Sequence, residues 1–360
     1  MRLRRSVSSS CILSDDPGPG VSLRAVCLGP RAGALYAGMV LLALLGGCTG
    51  PQRREIVCAP ATRLRAELAP PARPGAARIS PAAVTRHVII VSVDGLRPDA
   101  IARFHARTMQ RLAREGRSTL EARTILPSKT LPSHASMLTG VPPERHGITW
   151  NNDQVAGRGL VPVPTAFAVA RTQGLHTAAF FSKTKFRHLM VPGTLDYAQT
   201  PTRVCDHWPA ERTVDDVRRY LADGARPNLL FVHLGEPDYA GHANGWMSGA
   251  YARAVRRADD AVAAVVAAAD AAFGRGAYTL LLTADHGGHA RTHGSADARD
   301  VTIPWIAWGQ GVAPGAPLGP SVHTTDTAAT ALWLLGIAVP TEWVGQPVSR
   351  AFAAARTADQ

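Results

Sequence analysis

At 360 residues and 46% hydrophobic content, the chain can bury a large core, as one big α/β domain or two smaller ones. Its formal net charge of +12 is carried by arginine scattered along the chain, with lysine only at 129, 183 and 185. No basic block is interleaved with aromatics, so composition gives no sign of a nucleic-acid-binding surface.

The amino terminus has the order of an export signal. Residues 32–47 carry no charge, follow Arg24 and Arg31, and stop at Cys48-Thr49-Gly50, a run too short for a comfortable membrane span. Leu45-Gly46-Gly47-Cys48 resembles a bacterial lipoprotein processing site. It predicts lipidation of Cys48 and a membrane anchor facing the periplasm; a plain cleaved signal with an incidental cysteine is the alternative. Residues 1–20 exceed a normal leader, which leaves a later start open. Cys11 and Cys27 would leave with residues 1–47, and Cys58 and Cys205 would remain as a pair suited to a disulfide in an oxidising compartment. Residues 48–84, rich in Pro, Ala and Arg, read as a tether.

From Thr85 onward apolar runs of strand length alternate with helical patterns. The expected fold is a single α/β domain over 85–351, a mostly parallel central sheet with helices on both faces, and 352–360 as a tail. Strand 87–93 leads to one helix at 98–114, and strand 118–125 to a loop and a helix capped by Ser133. A helix at 163–173 precedes strand 176–181, and a helix at 211–222 precedes strand 228–234. The longest helix, 247–272, carries Arg253, Arg256, Arg257, Asp259 and Asp260, read as its solvated side. Strands 278–284 and 302–308 and a helix at 325–336 complete the series.

The strand ends repeatedly offer hard or imidazole ligands. Asp94-Gly95 follows the first strand, Glu236-Pro237-Asp238…His242 follows strand 228–234, and Asp285-His286-Gly287 follows strand 278–284, with His293-Gly294 beyond. Open α/β sheets bind ligands at such carboxyl edges. Between Pro127 and Pro132, Thr130 sits on a rigid loop at a helix start, where orphan N–H groups favour an anion. Asp94, Thr130, Asp238, His242, Asp285, His286 and His293 are the side chains two zinc ions would take. Two metals roughly 4 Å apart can clamp a phosphoryl group, and coordination makes a threonine hydroxyl a useful nucleophile.

Taken in order, Asp94-Gly95, Lys129-Thr130-Leu131-Pro132-Ser133-His134, His146-Gly147-Ile148 with Asn151, Asp238…His242, Asp285-His286-Gly287 and His293-Gly294 resemble the alkaline phosphatase superfamily. The likeness runs from about residue 86 to 350 and is strongest to the type I phosphodiesterase/nucleotide pyrophosphatase branch. It implies one zinc held by Asp94, Asp285 and His286 with Thr130 as its nucleophilic ligand, and a second held by Asp238, His242 and His293. It further implies that Asn151 and the Thr130 N–H hold a non-bridging oxygen while a phospho-threonine forms. His323 competes with His293, since a late histidine is a ligand in alkaline phosphatases proper. His293 is preferred because His-Gly shortly after Asp-His-Gly matches the phosphodiesterase branch. His134 is expected to pack under the loop, His146 and His289 to be structural, His233 to be a core histidine, and Glu236 to support the site as an acceptor.

The expected substrate is a small-molecule phosphate ester. Leu131 stands where monoester enzymes place an arginine near the phosphate, which favours diesters. A sulfatase would need Cys or Ser in place of Thr130. With only Gly288 to Thr292 between the last two motifs, nucleotide-base recognition does not carry over. A phosphomonoesterase, phosphonate hydrolase or envelope phospho-group transferase is the alternative on the same site, and a dead binding lipoprotein is the reading of another class.

Overall fold

The computed structural model describes residue 80 and residues 82–202, 207–313 and 315–353. The export segment, Cys48, most of the tether, Cys58 and Cys205 lie outside the described residues. No helix among the described residues is long and apolar enough to cross a membrane.

Seven strands form one sheet: β1 Val88–Val93, β2 Arg117–Arg123, β3 Thr177–Phe180, β4 Tyr197–Gln199, β5 Leu229–Leu234, β6 Thr279–Thr283 and β7 Thr302–Gly309. Their order is β2-β7-β6-β1-β5-β3-β4. β1, β5 and β6 are buried along their whole length, so continuous apolar runs rather than alternation mark them. Val93 pairs with Leu234 and Ser92 with Thr283, so β6, β1 and β5 end side by side on one edge.

The sheet is parallel except for β7, which runs against both β6 and β2. Strand alternation alone suggested a parallel strand there. The connection after β6 contains only the short helix Ala298–Val301 and stays at the carboxyl edge. The chain therefore re-enters the sheet from that edge; a parallel strand needs a crossover back to the far edge.

Three local expectations are corrected. The helix expected at 98–114 is two helices, Pro98–Arg103 and Arg107–Glu115, broken where His105 adopts φ +58°. Ser133 does not cap its helix, which begins at Thr130. Its hydroxyl instead donates to the Asp285 carbonyl and meets Thr124 Oγ1. Pro132 fits the first turn, where its missing N–H has no partner to lose.

The third correction concerns helix Gly249–Phe273. Arg253, Arg256, Arg257 and Asp260 face solvent, but Asp259 is buried. Its two carboxylate oxygens accept from the Thr108 and Met109 N–H groups at 2.9 and 2.8 Å. Helix Arg107–Glu115 starts after Ala106, which has no side-chain acceptor, so its cap comes from a neighbouring helix. Asp259→Ala would strand both donors. It is expected to lower unfolding free energy by about 1–3 kcal/mol, read as a reduced urea midpoint at unchanged slope.

Candidate active site and metal centre

The three aligned strand ends bring three carboxylates together. The Asp94 N–H donates to the Leu234 carbonyl at 2.9 Å, extending the ladder one residue past β1. Gly95 then turns at φ +70°, and a Cβ there would come 2.9 Å from Asp238 Cα. The close approach lets the Asp238 N–H reach the Asp94 carbonyl at 3.1 Å, and the Gly95 N–H reach Asp285 Oδ1 at 3.1 Å. Trp246 Nε1 and the Tyr251 hydroxyl both donate to the Gly95 carbonyl, at 2.9 and 2.8 Å. One turn thus ties the carboxylates to each other.

The imidazoles arrive with a common orientation. Asp238 and His242 are four apart on helix Glu236–Asn244 and share a face, with Asp238 Oδ1 3.3 Å from His242 Nε2. His293 Nε2 lies 3.6 Å from the same oxygen. His286 Nε2 lies 3.4 Å from Asp94 Oδ1, 3.3 Å from Asp285 Oδ2 and 3.3 Å from Thr130 Oγ1. His286 and His293 stack at 3.7 Å between centroids. Each Nδ1 meets a backbone carbonyl: His242 that of Arg291 at 3.0 Å, His286 that of Gly287 and His293 that of Ser128, both at 2.8 Å. A carbonyl can only accept, so each Nδ1 holds a proton and each Nε2 is turned inward, bare wherever the ring is neutral.

This arrangement fits a divalent cation. Asp94 Oδ1, Asp238 Oδ1 and Asp285 Oδ2 are buried without a hydrogen-bond partner. Tetrahedral zinc with bonds of ~2.0–2.1 Å sets its ligand atoms about 3.3 Å apart, close to the spacings here. Two sets close to within 4.8 Å: Asp238, His242 and His293, and Asp94, Asp238 and His286. Asp238 is common to both, and Asp285 joins the second through its contact with His286.

Burial pushes His286 and His293 below the ordinary imidazole range, and for His293 the neighbouring His286 adds to it. Burial also works against the charge on His242, but Asp238 outweighs it and raises that group. Burial and Asp94 push Asp285 well up. Burial opposes ionisation of Asp94 and Asp238 too, yet Lys183 holds both below the ordinary carboxylate range, aided at Asp94 by His233.

Thr130 is buried as the first residue of its helix. Asn151 Oδ1 accepts from the Leu131 N–H at 2.9 Å. His134 packs beneath, with Nδ1 on the Thr130 carbonyl and Nε2 on Ser92 Oγ, both at 2.8 Å. His146 bonds Ser136, His289 bonds Asp300, and Glu236 accepts from the Ala210 N–H. His323 is 59% exposed and pairs with Asp326. His233 is indeed a buried strand histidine, but its Nε2 meets Asp94 Oδ2 at 3.0 Å, so it steadies the centre. Lys183, whose ammonium meets both Asp94 and Asp238, was missed. Its signal was a Lys-Thr-Lys run just beyond a strand, in a chain that otherwise takes its positive charge from arginine.

The type I phosphodiesterase/nucleotide pyrophosphatase family model matches residues 88–295, more than half of the sequence and all seven candidate ligands. The chain belongs to this family. Venom phosphodiesterase 2 of Crotalus adamanteus is 26% identical over 221 residues, covering 56% of this chain and 26% of that protein. GPI ethanolamine phosphate transferase 1 of Emericella nidulans is 24% identical over 266 residues, covering 62% and 28%. The chain therefore spans about a quarter of the length of these relatives. Among solved structures, murine ectonucleotide pyrophosphatase/phosphodiesterase 5 in complex with AMP superposes with a TM-score of 0.62 at 15% identity, covering 74% of this chain and 100% of that one. A 2-O GAG sulfatase gives 0.60 at 17% identity, covering 77% and 76%. Both show the shared fold.

Protons would compete with a metal held by His242. Its value lies above the ordinary 6.5, and a coordinating Nε2 must be proton-free. Below that value the proton to be displaced is expected to weaken apparent divalent-metal affinity by about tenfold per pH unit. Competition with a chromogenic chelator across neutral pH measures this. A flat profile would remove His242 from the ligand set.

Proposed function

We propose that this family member is a di-zinc hydrolase of phosphate diesters, with Thr130 as nucleophile. Asp94, Asp285 and His286 would hold one cation, and Asp238, His242 and His293 the other. The observation that carries the reading is a set of unpartnered, buried carboxylate oxygens facing imidazole Nε2 atoms, with a buried threonine hydroxyl 3.3 Å from one of them. Structural packing gives no reason to hold so many acceptors together.

When bound, the cations would supply Lewis acidity, polarising the phosphoryl oxygens and easing loss of the Thr130 hydroxyl proton. The remaining work belongs to the chain. Thr130 Oγ1 attacks phosphorus in line while the bond to the leaving alcohol oxygen breaks, and the phosphoryl group passes to Thr130. The leaving oxygen takes up the proton that Thr130 gave up. Water then adds to phosphorus as the Thr130 Oγ1–P bond breaks, one water proton restores the Thr130 hydroxyl, and the phosphate monoester leaves. The start of helix Thr130–Thr139 favours the phosphate charge. Asn151 commits Oδ1 to the Leu131 N–H, which leaves Nδ2 as the donor that joins the Thr130 N–H on a non-bridging oxygen.

Diesters are favoured over monoesters because Leu131 adds no cation for the extra negative charge. The AMP complex of the structural neighbour makes nucleotide-type diesters reasonable probes. A second reading, transfer of the phosphoryl group to an alcohol rather than water, is favoured by the similarity to the GPI ethanolamine phosphate transferase. Export, a lipid anchor on Cys48 and the Cys58–Cys205 disulfide complete the proposal and rest on the sequence pattern alone.

Hydrolysis of bis-p-nitrophenyl phosphate is expected to exceed that of p-nitrophenyl phosphate, to vanish with chelator and to return with zinc. A monoester preference overturns the diester assignment, and a phosphorylated alcohol formed on adding glycerol supports transfer. Thr130→Ala is expected to lose activity on the order of 10⁴-fold or more while keeping its metal; wild-type turnover would reject the covalent route.

A further inference from the structure

Lys183 lies in the loop after β3, and its side chain is buried against the site (6% exposed). Its Nζ is 2.7 Å from Asp94 Oδ2 and 2.5 Å from Asp238 Oδ2. The oxygens left without partners are the other ones, Asp94 Oδ1 and Asp238 Oδ1. Those same Oδ1 atoms face His286, His242 and His293.

We infer that Lys183 is a positioning residue, a cationic strut that holds both carboxylates from behind so that each presents one fixed oxygen to the metal centre. The inference rests on the two-metal reading above. A carboxylate is two-fold about its last torsion, and each of these has one oxygen pinned by the ammonium. Asp94 Oδ2 is pinned again by His233 Nε2. Because one ammonium bridges residues that follow β1 and β5, it also fixes the distance between the two ligand sets.

The neighbourhood is shaped for that side chain. A Cβ at Gly235 would lie 2.9 Å from Ser182 Oγ and 3.0 Å from Tyr239 Cε2, so glycine after β5 leaves room for the residue before the lysine and for the ring that covers its ammonium. Tyr239 covers the ammonium with its ring, 4.6 Å from centroid to Nζ. Arginine could not substitute simply, since its planar fork is wider than a point charge held between two oxygens.

The competing account is that the ammonium occupies a cation's place and is expelled on loading. It predicts the opposite behaviour, because removing a nearby positive charge by electrostatics alone would tighten metal binding. Losing an orienting partner outside the ligand shell typically weakens affinity by about 10- to 100-fold. The full chain and its Lys183→Met variant are therefore compared by zinc competition with a graded chelator and by the absorption spectrum of the cobalt-substituted protein. The variant is expected to bind at least about tenfold more weakly, with an altered cobalt spectrum. Equal or tighter binding with an unchanged spectrum overturns the strut.

Reductive methylation of the wild-type protein, read residue by residue in a mass spectrometer, holds even should the variant not fold. Lys183 is expected to stay unmodified both metal-free and zinc-loaded. Modification in either state, above all on loading, overturns the proposal. A wild-type protein that binds no divalent metal would instead remove the metal reading itself, a result distinct from any shown by the variant.

Discussion

The site is governed by a conflict of like charges that the sheet itself creates. Three adjacent strand ends deliver Asp94, Asp238 and Asp285 into a buried space where three of their oxygens have no hydrogen-bond partner. Two unit charges about 4 Å apart interact by about 4 kcal/mol at an effective dielectric of 20. A single hydrogen bond returns only about 0.5–1.5 kcal/mol. Local hydrogen bonding cannot resolve such a cluster, whereas positive charge can. Lys183 supplies one such charge, and the remaining oxygens are arranged for others.

The backbone pays attention to this centre as much as the side chains do. The Asp94–Gly95 turn donates to Asp285 and accepts from Asp238, while Trp246 and Tyr251 clamp its carbonyl. Ring orientation is set by carbonyls of Arg291, Gly287 and Ser128, all in loops beyond the strand ends. The sheet fixes where the carboxylates stand, and the loops fix which nitrogen each histidine turns inward. Rigid elements thus hold the charges, and irregular ones select the chemistry.

Phosphodiesterase and sulfatase neighbours share this architecture at low identity. The fold alone therefore does not choose between phosphorus and sulfur chemistry. The resemblance set out above implies Cys or Ser for sulfur chemistry at the helix start where this chain has Thr130. The family match over residues 88–295 and the chemistry of that hydroxyl point the same way.

Much of this was legible in the sequence because it depends on local pattern. Continuous apolar runs gave the buried strands, and carboxylates placed just after them marked the edge where Asp94, Asp238 and Asp285 gather. What pattern could not carry was any property that depends on a distant partner. Asp259 looked like one more charge on a solvated face until the helix packed it against Thr108 and Met109. Strand β7 looked like its neighbours, because its direction depends on where the preceding connection leaves the chain. Lys183 lies 89 and 55 positions from the two carboxylates it joins, as read from their numbering, and no periodicity spans that gap. The sequence by itself determined which side chains could do chemistry and on which edge they would stand. Only the tertiary structure decided which oxygen of each carboxylate is held and which is left open, because that choice is made by contacts between segments far apart in the chain.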